Sequence, residues 1–156
     1  MTKLAQVTKI VPILEPQDHN AGVDGDSVNM GLYNHLAFIF LFGELTADAV
    51  LTIYEGATAG TKTTAKTFSY RATAADLKVA TGDNLGTEAT SAALTLTAAT
   101  YEDRMLVAEI DAAELTDGTP WVTPNLSSAA SELFVSIVAI LSEARYLKDV
   151  PPTAIT

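Results

Sequence analysis

Cysteine is absent from the chain. Disulfide bonds and thiolate metal sites are therefore excluded outright, although the absence identifies no compartment. Basic residues are scarce, with 9 Lys plus Arg against 19 Asp plus Glu and a formal charge of −10. A phosphate backbone needs clustered cations, so nucleic acid is not expected as a partner. An anionic membrane surface is disfavoured for the same reason. Long apolar runs are also missing: the longest falls far short of the roughly 20 residues that a membrane helix needs. The first residues, Met1 to Lys9, contain no long apolar segment, so a secretory signal is not expected. These absences predict a soluble protein made and assembled in a cytoplasm.

Catalytic groups are equally sparse. Nucleophilic catalysis needs a base beside a Ser, Thr or Cys, and the only histidines are His19 and His35. There is no Gly-x-Ser-x-Gly elbow and no glycine-rich phosphate loop. His35 borders an apolar run and is expected to be a capping or hydrogen-bonded residue. The carboxylate pairs Glu102 with Asp103 and Asp111 with Glu114 fall at turns and caps, where glycosidase-type separation across a cleft is not expected. Asp24, Asp26 and Ser27, with Asp18 and Asn20 upstream, could offer hard oxygen ligands to a cation. The spacing of a twelve-residue calcium loop is missing, and turn chemistry explains these residues equally well. No enzyme activity, cofactor or metal is expected.

What is present is strand. His35–Glu44 is apolar at nearly every position, and Ala49–Glu55 alternates. The two read as a central strand and its antiparallel partner, with Phe38, Phe40 and Phe42 on one face and Ala37, Ile39 and Leu41 on the other. Apolar residues on both faces imply burial on both, inside a sandwich or beneath another subunit. Leu133–Leu141 is a second such run, rich in β-branched residues. Each is expected at the centre of a sheet, or under a neighbouring subunit. Further strands are expected at Thr64–Arg71, Ala92–Ala98 and Met105–Ile110. A short helix is expected from Thr73 to Leu77 or Val79, and a single capped turn at Asp111–Glu114. Pro120–Pro124, which holds the one Trp, reads as extended.

The count is about eight or nine short strands with one or two helical turns at most, the pattern of an all-β, antiparallel sandwich or jelly roll. At 156 residues one domain is expected. Residues 1–16 form an extended arm or first edge strand, because Pro12 and Pro16 forbid a continued helix. Residues 17–147 form the sandwich, with a long turn-rich loop over 17–34. Residues 148–156 form a proline-bearing extended tail.

One ordered set of segments adds to this reading. It comprises Tyr33-Asn-His35 leading into the apolar strand, Gly43–Glu55, Phe68-Ser-Tyr-Arg71, Val107–Leu115 and the last apolar strand ending Ala144-Arg145-Tyr146. The set resembles small structural proteins of tailed bacteriophages and prophages, including capsid decoration, or cement, proteins with sandwich or jelly-roll folds. The resemblance spans residues 30–147, and residues 72–89 look like a variable insertion within it. It implies a non-enzymatic virion protein on the capsid exterior, bound to the major capsid protein as a symmetric dimer or trimer. The alternatives are a tail-tube or head–tail joining component, or a carbohydrate-binding adhesion sandwich. Such a protein works by burying surface. The expected contacts are Val7, Ile10, Val11, Ile13 and Leu14 in the arm; Val23, Val28 and Met30 in the loop; Trp121; and Val150 and Ile155 in the tail.

Overall fold

The computed structural model describes residues 3–145 and Ile155. Two antiparallel sheets face each other across one core. The larger sheet runs in the order β1 (Lys9–Asp18), β12 (Leu133–Ala144), β4 (Tyr33–Leu45), β10 (Met105–Asp111), β7 (Phe68–Ala72), β8 (Ala89–Ser91). The smaller follows β2 (Val23–Asp24), β11 (Trp121–Leu126), β5 (Ala49–Gly56), β6 (Thr64–Lys66). The short β3 (Val28–Asn29) pairs with β11, and β9 (Leu94–Leu96) pairs with β5. Among the described residues helix is confined to α1 (Leu4–Val7), α2 (Ala98–Tyr101) and a 3-10 turn over Ala112–Glu114. This is an all-β sandwich.

The alternation of β4 defines the core. Leu36, Phe38, Phe40 and Phe42 are buried on its inner face. Their rings form a ladder, with centroids 6.3 Å apart for Phe38 and Phe40 and 6.1 Å for Phe40 and Phe42, and Tyr101 closes it edge-on at 6.2 Å from Phe42. Beside them in the same sheet lie Val135, Ile137 and Leu141 of β12 and Leu106 and Ile110 of β10. Leu51, Ile53, Val122 and Leu126 are buried on the facing sheet. Each fully buried side chain of this size contributes about 1.5–3 kcal/mol.

Several expectations are corrected. β4 and β5 are not partners. The chain leaves β4 at Leu45 and crosses to the other sheet, and the crossing is held where the Thr46 N–H donates to Glu132 O at 3.1 Å. Instead β4 pairs with β12, from Leu133↔Leu45 to Ala144↔Tyr33, with one register shift between Leu133 and Val135. The two apolar runs are thus adjacent strands of one sheet, not the centres of two. Thr64–Arg71 is also divided: β6 pairs with β5 and β7 with β10, so the chain changes sheets near Thr67. No helix forms at 73–79. Thr73 is taken up by β10, its N–H donating to Met105 O and its hydroxyl accepting from the Met105 N–H. Asp76 accepts the Lys78 N–H two residues on, a turn geometry that competes with a helix.

At the N-terminus, Leu4–Val7 is helical where extended chain was expected. Gln6 Oε1 accepts the Lys3 N–H and the Thr8 hydroxyl donates to Leu4 O. From Lys9 the chain is an edge strand paired with β12. Its register breaks between Pro12 and Leu14 and again between Leu14 and Gln17.

Pro124 explains why β2 and β3 are two fragments rather than one strand. It sits mid-strand in β11, between the stretches that pair with β3 and with β2. Proline lacks the N–H that a continuous ladder needs. Gly25 spans the gap, its own N–H donating to Pro124 O at 2.8 Å.

Candidate interaction surface

A strand in a two-layer sandwich buries one face, and solvent or a partner meets the other. On the outer face of the larger sheet the side chains are mostly apolar across four strands, with Ser136 set beside Leu41. Val138 of β12 pairs with Ile39 of β4, and Ile39 with Val107 of β10. On the other side Pro12 of β1 pairs with Val138, and Ile10 with Ile140. Ile140 pairs in turn with Ala37, and Leu41 with Met105. Ile10, Leu41 and Phe134 are 45%, 44% and 41% exposed. Val138, Ile140, Ile39 and Val107 are half-buried, because neighbours on a flat sheet shield one another.

With strands about 4.8 Å apart and residues about 3.4 Å apart, four strands over some six residues make a face on the order of 400 Å². That lies within the roughly 300–600 Å² of the largest patch on a typical monomer, a patch that is often functional. It is about half of what one partner contributes to a standard interface.

The face ends in an acidic cleft of about 620 Å³, lined by Asn34, His35, Glu88, Glu109, Asp111 and Glu143 among others. The two features are continuous, because Glu109 pairs with Ala37 and Asp111 with His35 on adjacent strands. His35 Nδ1 lies 2.7 Å from Asp111 Oδ1, and its Nε2 lies 3.9 Å from Glu109. This is the hydrogen-bonded role expected of it. The turn that follows carries the capping box expected of Asp111 and Glu114, with Glu114 accepting the Asp111 N–H at 2.8 Å. Among the described residues no Lys or Arg lines the cleft.

The carboxylates with displaced titration lie outside this surface and have structural causes. Burial acts to raise the Glu55 pKa, but hydrogen bonds from the Thr116 hydroxyl (2.6 Å) and N–H (2.8 Å), with Lys66 nearby at 3.5 Å, bring it below the ordinary glutamate value. Asp24 follows the same logic. Burial raises its pKa, while Lys62 and Asn125, each donating at 2.7 Å, hold it low. Glu132 accepts from the Ser131 and Thr46 hydroxyls, which push it down to about 2.

No family model and no curated protein matches the chain. Among solved structures it is similar to the SPBc2 prophage-derived protein YomS, with 12% identity over 88% of this chain and 96% of that chain and a TM-score of 0.47. It is also similar to a chain from the structure of infectious bursal disease virus Gx strain, with 14% identity over 86% of this chain and 39% of that chain and a TM-score of 0.22. Identities and TM-scores this low assign neither a family nor a role.

The residues expected to make contacts scatter over the fold. Val11, Ile13, Val28 and Met30 are buried in the chain's own core. They face inward because β1 and β3 alternate like ordinary sheet members, so they are corrected from contact residues to core. Leu14 and Val23 are half-buried and pack against that core, and Trp121 is half-buried at the start of β11. Val7 and Ile10 are exposed. Ile155 packs partly buried against the core, and Val150 lies outside the described residues. Of the described members of the set, only Ile10 falls within the apolar face. The oxygen-bearing loop residues are not gathered around one point. Asp24 holds Lys62. Ser27 lies 2.7 Å from the Thr123 hydroxyl and accepts the Gly60 N–H. Asp18 accepts from the Asn20 and Leu133 N–H groups. Among the described residues no three His, Asp or Glu side chains form a group able to hold a metal ion.

Sequence reasoning allowed for a neighbouring subunit over these strands but named none of this surface's residues except Ile10 as contacts. The signal was present: Ala37, Ile39 and Leu41 share one parity along β4 and Val138 and Ile140 one along β12, joined by Val107 once β10 is set beside β4.

Proposed function

We propose that this chain is a non-enzymatic structural protein of a tailed-phage particle. In this reading it is a decoration protein that seats on the major capsid protein at the shell exterior and stabilises the assembled shell. The observation that carries the reading is the apolar outer face of the larger sheet. This face lies outside the closed core of the sandwich and carries Ile39, Val138, Ile140 and Leu41. A surface of that kind fits a protein that acts by covering area. A ligand that binds the assembled shell in preference to its free subunits stabilises it by mass action. The ordered segments over residues 30–147, with their resemblance to phage structural proteins, support the same reading. So do the displaced carboxylates, each of which is explained by a structural hydrogen-bond network rather than by a reaction centre.

The test is cryo-electron microscopy of particles of the phage or prophage that encodes the chain. The reading expects density for the sandwich on the capsid exterior, and shells lacking the chain that rupture at lower temperature. Its presence only in the tail or at the head–tail joint would move the role, and absence from the particle would remove it.

A further inference from the structure

The apolar face is too small to serve alone as a standard interface, so whatever covers it must also engage its border. That border is acidic on the side of the cleft, where Glu109, Asp111, Glu88 and Glu143 converge. Several cations among the described residues are engaged within the chain. Arg71 pairs with Glu88 at 3.0 Å and Lys78 with Asp103. Arg145 donates to Asn34 at 3.0 Å and Arg104 to Thr73 O at 2.9 Å. A second copy of this chain would bring the same committed cations, the same acidic border and a further formal charge of −10. Like charges set against each other across an interface disfavour that pairing, and opposite charges favour it.

We propose that the outer face of the larger sheet docks a protein surface that is apolar at its centre and basic at its edge, and not a second copy of this chain. The Ile39–Val138 row receives the apolar centre, and lysine or arginine side chains of the partner enter the acidic cleft. The inference rests on the proposed particle role and adds the chemistry of the partner. Burial of the apolar rows supplies the bulk of the affinity. The cleft supplies register, and also a dependence on salt, because exposed charges are screened within about 10 Å at 0.1 M ionic strength.

The experiment uses the full chain and shells of the encoding phage assembled without it, with binding followed by co-sedimentation at low and high salt. Wild-type chain is expected to bind, and more weakly as salt rises. The pair Ile39→Thr with Val138→Thr keeps the β-branched shape and should lower affinity by about tenfold or more through lost apolar contact. The pair Glu109→Lys with Glu143→Lys lies on exposed positions and should lower affinity to a similar degree, with its salt dependence flattened or reversed. Thermal melting of each variant near the wild-type temperature separates lost docking from lost fold. Wild-type binding that neither pair weakens would overturn the inference and leave the particle role standing. Sedimentation velocity showing that the free chain dimerises, with the charge-reversed pair dimerising more tightly, would assign the face to a second copy and overturn it as well. Failure of the wild-type chain to bind the shells at all would overturn both the inference and the proposed role beneath it.

Discussion

Val138 stands directly across from Ile39 on the neighbouring strand, and both turn away from the core that their strands build. One residue along, Ile137 and Phe40 are also partners and both are buried. The same two strands therefore offer a direct comparison of inner and outer faces. Replacing Ile39 and Val138 together with Lys should change unfolding free energy by no more than about 1 kcal/mol. Phe40→Ala should cost about 3–5 kcal/mol, the usual cost of a large core truncation. Urea denaturation of the three proteins checks this. A large loss in the Lys pair would mean that the outer face contributes to the fold itself.

Glu55 is 1% exposed and faces inward at one end of the sandwich, where it ties the segment after the 3-10 turn to β5. Glu55→Ala leaves the Thr116 donors and Lys66 without their acceptor and should cost about 3–5 kcal/mol. The carboxylate is held below its ordinary pKa in the fold. Its contribution is therefore fully present above the unfolded-state value and is lost as pH falls through the folded value. Glu55→Gln should be less stable than wild type at neutral pH, and the gap should narrow in acid. Melting temperatures measured from neutral to acid pH decide the point, and a gap that widens in acid would reverse the sign.

Gly25 is held by sterics. A Cβ there would stand 2.6 Å from Ile13 Cγ2 and 2.9 Å from Pro124 Cγ. Both neighbours are buried, so neither can swing aside. Gly25→Ala should therefore destabilise by about 1–3 kcal/mol, as overpacked sites do. The double variant with Ile13→Ala, which removes Cγ2, should lose less stability in a thermal melt than the sum of the two single changes, since one of the two contacts is gone.

Truncation separates arm from strand. Removing residues 1–7 should leave stability within about 0.5 kcal/mol, since α1 buries nothing. Removing residues 1–14 strips Val11 and Ile13 from the core and uncovers one side of β12. The longer deletion should unfold or aggregate, while the shorter should give an unchanged circular dichroism spectrum. A stable fold without residues 1–14 would return the segment to the status of a detachable arm.

The sandwich was legible because its strands obey simple parity. Phe38, Phe40 and Phe42 alternate, Leu94 and Leu96 alternate, and Pro12 and Pro16 exclude helix from Lys9–Asp18. Partnering was less legible. Whether β4 pairs with β5 or with β12 depends on a corner of three residues at 46–48, and no local propensity distinguishes a hairpin from a crossing between sheets. The 73–79 error has the same origin: Thr73 could cap a helix, but β10 took both its N–H and its hydroxyl. The interaction surface was the least legible, because it depends on four strands that are distant in sequence. Ile39 and Val107 become neighbours only once the register of β4 and β10 is known. The acidic cleft likewise draws on residues from 34 to 143, none of which forms a motif in its own segment.

The two prolines and two register breaks of β1 have a consequence for crowding. A sheet that ends in a straight, regular strand invites another to join it, and addition of that kind has no natural stop. Here the terminal strand is bent out of register at Leu14, and its exposed Pro12 and Pro16 supply no amide hydrogens. Molecules packed densely side by side therefore find no regular ladder to extend at this edge, and the protein carries its apolar face to high local concentration without fibres growing from the β1 side.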